Sequence, residues 1–154
     1  MNYTLGQKVT VTDHLFRTRA ISPAQVVALS AAWPYMPQKV TEDARTLLER
    51  QSARRHGLLG RYKVWLPVSL GPWKHNDDWG TLGVDTRRHP VVHDLPMPTE
   101  GVVVRQVQIQ DGEPFWEEYG SEWSTMSSRV GYHVAYHLSR RPLVVLPHMI
   151  EPTP

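Results

Sequence analysis

With 154 residues, a formal charge of +2 and no cysteine, the chain is long enough to bury a core without disulfides. It is too weakly charged for a dedicated DNA binder, whose affinity comes largely from neutralising phosphates, and thiolate chemistry is excluded. Met1 is not followed by a secretory n-region and h-region, and no uninterrupted apolar run exceeds four residues, so neither signal peptide nor membrane span is expected and a reducing cytoplasm fits.

In chain order, residues 3–19 alternate around Val9 and Val11 and read as a first strand, entered through Leu5, Gly6 and Gln7 and pairing with the carboxy-terminal hairpin. Ser22, Pro23 and Gln25 then stand as N-cap, first helical residue and capping-box partner, which predicts a helix over 23–32, stopped by Trp33 and Pro34. A second helix is expected over 42–55. There Thr41 precedes the acidic pair Glu42 and Asp43, and Ala44, Leu47, Leu48 and Gln51 follow at three-and-four spacing. Gly57 is its expected stop. Residues 62–68 read as a strand, residues 71–80 as a loop, and the segment up to Pro98 as irregular.

Residues 100–151 carry three further strands. In the first, Val103, Val107 and Ile109 share a face with Arg105, and Gln106, Gln108 and Gln110 line the other. In the second, Tyr132, Val134, Tyr136 and Leu138 alternate with His133, Ala135 and His137. Ser139, Arg140, Arg141 and Pro142 make a tight turn into Leu143, Val144, Val145 and Leu146. Pro147 then starts one helical turn that returns Ile150 to the core. Val103, Val107, Tyr136 and Val144 or Val145 are expected to share that core. Strand, tight turn, strand and a one-turn ending is how small SH3-like barrels finish. The fold expected is therefore α+β: one domain over 1–154, a mainly antiparallel SH3-like barrel from both chain ends (about 1–20 and 99–151), with a helix-containing insertion at about 21–98.

A Gly-Val-Val-Val strand at Gly101, an acidic aromatic stretch, then Val134-Ala135-Tyr136, Arg140-Arg141-Pro142 and Val145-Leu146-Pro147 resembles small uncharacterised proteins encoded by phages of mycobacteria and related actinobacteria. The resemblance covers residues 1–11, including Tyr3-Thr4-Leu5-Gly6-Gln7-Lys8-Val9, and residues 99–151. It carries no known activity; what it implies is a small accessory protein acting on a host or defence component inside the bacterial cell.

Several side-chain groups are candidate sites. Phe115, Trp116, Glu117, Glu118, Tyr119 and Trp123 lie in a connection longer than a hairpin needs, and disordered segments are poor in aromatics. Their reading is a partner-binding surface, the bland alternative being rings tucked onto the barrel beneath solubilising carboxylates. Arg50, Arg54, Arg55, Arg61 and Lys63, on or beside the second helix, offer an alternative phosphate or nucleic-acid face, although such a face is commonly just solvated. His75, Asp77 and Asp78, between Trp73 and Trp79, offer hydrolytic chemistry, yet the same residue types furnish ordinary surface turns. His133 and His137 at strand spacing are about 13 Å apart, too far to share one metal, and no cofactor, metal or catalytic constellation is expected. The leading expectation is a non-enzymatic interaction module.

Overall fold

A computed structural model of the chain describes residues 2–18, 21–50, 62–71, 95–117 and 120–154, with the backbone alone for 114–117 and 120–122. The elements are β1 (Lys8–Val11), β2 (Leu15–Arg17), α1 (Pro23–Ala32), α2 (Gln38–Glu49), β3 (Trp65–Pro67), β4 (Thr99–Glu117), β5 (Gly120–Ala135), β6 (Leu143–Val145) and β7 (Ile150–Pro152). The seven strands form one sheet in the order β3-β2-β6-β5-β4-β1-β7, with every pairing antiparallel. The chain is thus α+β. Among the described residues no helix is long and apolar enough to cross a membrane.

The sheet is not closed into a barrel, since β3 and β7 remain its edges. It is nonetheless strongly curled. Val11 ends β1 and Leu15 starts β2, so the two can be at most about 14 Å apart. Three strands stand between β1 and β2, and a flat sheet would hold them about 19 Å apart. The expected single strand over 3–19 is accordingly two. The break falls at Thr12, Asp13 and His14, where the Thr12 N–H donates to the Met149 carbonyl at 2.9 Å and Asp13 Oδ1 accepts the His14 N–H at 2.9 Å.

Register sorts the apolar residues onto two faces. Val9 and Val11 (β1), Val103 (β4), Tyr132 and Val134 (β5), Leu143 and Val145 (β6), Phe16 (β2) and Leu66 (β3) fall on one, the inside of the curl, and all are buried. Leu15, Val144, Gly131 and Ile109 fall on the other and are buried too, with α2 packed on β5. A sheet covered on both sides needs continuous rather than alternating hydrophobicity, which is why Leu143, Val144, Val145 and Leu146 are all buried. Of the core expected from the pattern, Val103, Val144 and Val145 are buried, whereas Val107 and Tyr136 are half-buried against it. Leu138 departs from its strand pattern and is fully exposed, because β5 ends at Ala135 and Leu138 is already in the turn.

α1 has the predicted bounds and cap: Ser22 Oγ accepts the Gln25 N–H at 3.2 Å while Gln25 Oε1 accepts the Ser22 N–H at 2.8 Å. α2 begins four residues before its expected start and gives way to a non-helical C-cap at Arg50. Thr41 does not cap it. The Thr41 hydroxyl donates back to the Pro37 carbonyl at 3.2 Å, and Val40, Thr41 and Ala44 form the buried stripe that carries the helix upstream of the acidic pair. The turn at residues 147–149 is 3₁₀-helical and delivers Ile150 to the core as expected. Tyr3 ties both chain ends together: its hydroxyl donates to the Ile150 carbonyl at 2.9 Å and its N–H to the Tyr132 hydroxyl at 3.2 Å.

At Gly131 β5 is tightly covered. A Cβ there would collide with the Ile109 side chain and stand 2.6 Å from the Val145 carbonyl oxygen. Gly131→Ala should therefore cost about 1–3 kcal/mol of folding stability through overpacking. Val130→Ala, on the neighbouring exposed position, should stay within about 0.5 kcal/mol. Denaturant unfolding of both variants checks the register; reversed costs would mean that β5 is one residue out.

Candidate interaction site on the long hairpin

Among its described residues, the stretch expected as a connection between two strands is itself strand, up to Glu117 and again from Gly120. β4 and β5 pair continuously from Val102 with Ala135 to Glu117 with Gly120, with irregularities between Val103 and Arg105 and between Asp111 and Gly112. Aromatic and β-branched residues suit a pleated ribbon as well as a contact loop, and the acidic residues between them masked that alternative. β1 reaches β4 only as far as Val102, and β6 reaches β5 only from Tyr132. Beyond those points the two strands run on as a ribbon, met on the β4 side by Gly6 and Gln7 at Val103 and by a bridge in which Lys63 and Gly112 exchange N–H···O bonds of 2.8 and 3.1 Å.

What fixes the ribbon to the body is a buried carboxylate. Asp111 lies two residues past Ile109 on the apolar side of β4 and is 0% exposed. Oδ1 accepts the Trp65 N–H at 2.9 Å, and Oδ2 accepts from Arg129 Nη2 at 3.0 Å in an ion pair with an arginine whose side chain is 22% exposed. Arg129 continues the connection to the helical layer: Nη1 donates to the Tyr35 carbonyl at 2.8 Å, and its guanidinium lies 5.7 Å over the Trp33 ring. One charge pair thus joins β3, β4, β5 and the α1–α2 connection. Burial pushes the Asp111 carboxyl above the ordinary aspartate value, and Arg129, the Trp65 N–H and Arg17 pull it part of the way back.

Two aromatic groups flank this centre. Trp123 is half-buried, its Nε1 donates to Thr125 Oγ1 at 2.8 Å, and the Arg17 guanidinium sits 5.3 Å over its ring. Tyr35 stacks on His148 with ring centroids 3.7 Å apart and an interplanar angle of 8°. Burial pushes the His148 imidazole below the ordinary histidine value, Asp13 opposes that shift, and Arg129 adds to it.

The residues nominated from sequence divide accordingly. Phe115, Trp116 and Glu117 occupy the last residues of β4, with Phe115 opposite Glu122 and Trp116 opposite Ser121. Trp123 belongs to the base of the ribbon, against Arg17, while Glu118 and Tyr119 lie outside the described residues. Arg50 caps α2 on an exposed position and Lys63 is half-buried beside Gly112. Arg54, Arg55, Arg61, Trp73, His75, Asp77, Asp78 and Trp79 also lie outside the described residues. His133 sits in β5, and His137 in the turn after it, with its Nδ1 3.1 Å from the Ser139 N–H. Sequence reasoning missed Arg17, Arg129, Trp33, Tyr35 and His148 as one neighbourhood. The one available signal was Asp111 itself, a carboxylate continuing the apolar positions 107 and 109. No family model, curated protein or solved structure matches the chain.

Removing one partner of a buried pair strands the other charge, so Asp111→Ala should lower stability by about 3–5 kcal/mol. Asp111→Asn, which keeps an acceptor for the Trp65 N–H, should cost less. The pH dependence carries a definite sign. A folded-state value raised above the unfolded one means that the Asp111 contribution is full below the ordinary value of 3.8 and is lost as pH rises through the raised value. Wild type should therefore lose stability relative to Asp111→Asn as pH rises through that window, which unfolding at stepped pH measures; a relative gain would contradict the raised value.

Proposed function

We propose that this protein is a non-enzymatic interaction module, an accessory protein of the phage type that binds a host protein through the end of the β4–β5 ribbon. The observation that supports this reading most is the ribbon's construction. Past Gly112 the two strands pair only with each other among the described residues, while the ion pair of Asp111 and Arg129 anchors their base. That end carries Phe115, Trp116 and Glu117, and aromatic residues on a rigidly held element lose little conformational freedom on binding. The curled sheet is read as an SH3-like barrel with one seam open, and the cytoplasm of a bacterial host is the compartment in which such a module works. Trp123 is assigned to support rather than contact because Arg17 covers its ring.

Paired alanine changes at Trp116 and Tyr119 should leave thermal stability nearly intact and weaken capture of the host partner by roughly tenfold or more, the scale of an aromatic hot spot. Capture from host lysate, with and without nuclease, is the assay. A large loss of stability would assign these rings to the core, and capture abolished by nuclease would favour nucleic-acid binding through residues 39–63.

A further inference from the structure

The outer face of the sheet is not covered throughout. α2 packs on β5, but across β1, β4 and β5 a cleft of about 300 Å³ opens on that face, and no residue of either helix lines it. Register places its parts. Lys8 lies opposite Val102 and Val102 opposite Ala135, so one row crosses the three strands; Glu100, two residues back along β4, belongs to the next row, beside Thr10 and then Glu151 of β7. Val102, Ala135 and Tyr136 are half-buried and give the cleft its apolar surface. Thr153 bounds it on the β1 side: its N–H donates to the Lys8 carbonyl at 3.1 Å, and its Oγ1 lies 3.0 Å from Thr10 Oγ1. The cleft is therefore positive at the Lys8 row and negative at the Glu100 row. Diagonal neighbours on adjacent strands stand about 7–8 Å apart, near enough for a lysine and a glutamate to pair. Here they do not. Lys8 and Glu100 are both exposed, and among the described residues neither forms an ion pair or a side-chain hydrogen bond.

We propose that this cleft binds a small zwitterion, a free α-amino acid with an apolar side chain. Its carboxylate meets Lys8, its ammonium meets Glu100, and its side chain lies over Val102 and Ala135 against Tyr136. Charge complementarity selects this class. A ligand with one charge leaves the opposite end of the cleft unmatched, and an uncharged ligand leaves both ends so. Glu151, on the Glu100 row, adds to the potential that favours the ammonium at that end. The volume stands at the low end for small-molecule sites, which suits an amino acid better than a nucleotide. This site is separate from the binding surface at the ribbon's end and does not depend on it.

Amide chemical-shift titration of the full chain tests this, with L-phenylalanine as the probe. Phenylalanine should give saturable shifts at Val102, Ala135 and Thr153. Phenethylamine and hydrocinnamate, which lack one charge each, should bind about three- to fivefold more weakly, the scale of one exposed ion pair. Lys8→Gln should abolish the advantage of phenylalanine over phenethylamine, and Glu100→Gln its advantage over hydrocinnamate; both positions are exposed, so the fold survives the changes. N-acetylphenylalanine amide, which carries neither charge, should bind most weakly of all. Absence of saturable shifts at these residues overturns the proposal, as does an advantage of phenylalanine that survives both variants. Equal binding of the blocked amide also overturns it, since the cleft would then take the interior of a peptide chain.

Discussion

The Asp111 carboxylate, taken wholly out of water, is the constraint on which the arrangement of this molecule turns. A charge in that position is tolerable only if its oxygens are matched, and the two groups that match them come from different parts of the chain, the Trp65 backbone and the Arg129 guanidinium. Arg129, partly buried, is in turn met by the Tyr35 carbonyl at Nη1 and by the Trp33 ring beneath its guanidinium. The requirement propagates. The loop between the helices is tied to the sheet through Arg129, and the ribbon is tied to it by what a buried aspartate needs.

The same region explains how a small sheet serves two layers. The inside of the curl is mainly apolar, and Tyr3 joins the chain ends across it. The outside is buried only where helices lie against it, and the charge pair sits beside Ile109 at the rim of that second layer. Apolar packing alone is permissive about orientation, whereas a hydrogen-bonded ion pair is satisfied in few arrangements. The pair therefore contributes more to the angle of the ribbon than to net stability, because its desolvation offsets much of its attraction.

Those parts of the fold that depend on local chemistry were legible in the sequence. Ser22, Pro23 and Gln25 specify a helix start within a few residues, and Pro147 specifies where β6 must stop, so α1 and the last turn came out at their expected places. Alternation located Val103, Tyr132 and Val134 correctly. What depends on residues far apart was not legible. That β1 and β2 are separate strands, each next to an opposite end of the sheet order, follows from a bend whose partners, Met149 and Ser69, are remote in the chain. The ribbon was mistaken for a loop because its charges resemble those of a solvated connection and nothing local reports the partner strand. The site around Arg129 needed register, since only pairing puts Arg129 opposite Ile109 and beside Asp111.

The claim that one charge pair orients the ribbon on the body is tested most directly by a double-mutant cycle between Asp111 and Arg129, with each replaced by alanine singly and together. The account predicts a coupling energy toward the upper end of the range of about 0.5–3 kcal/mol seen for residues in one hydrogen-bonded network. Coupling near zero would contradict it, for the two side chains would then be neighbours without acting on each other.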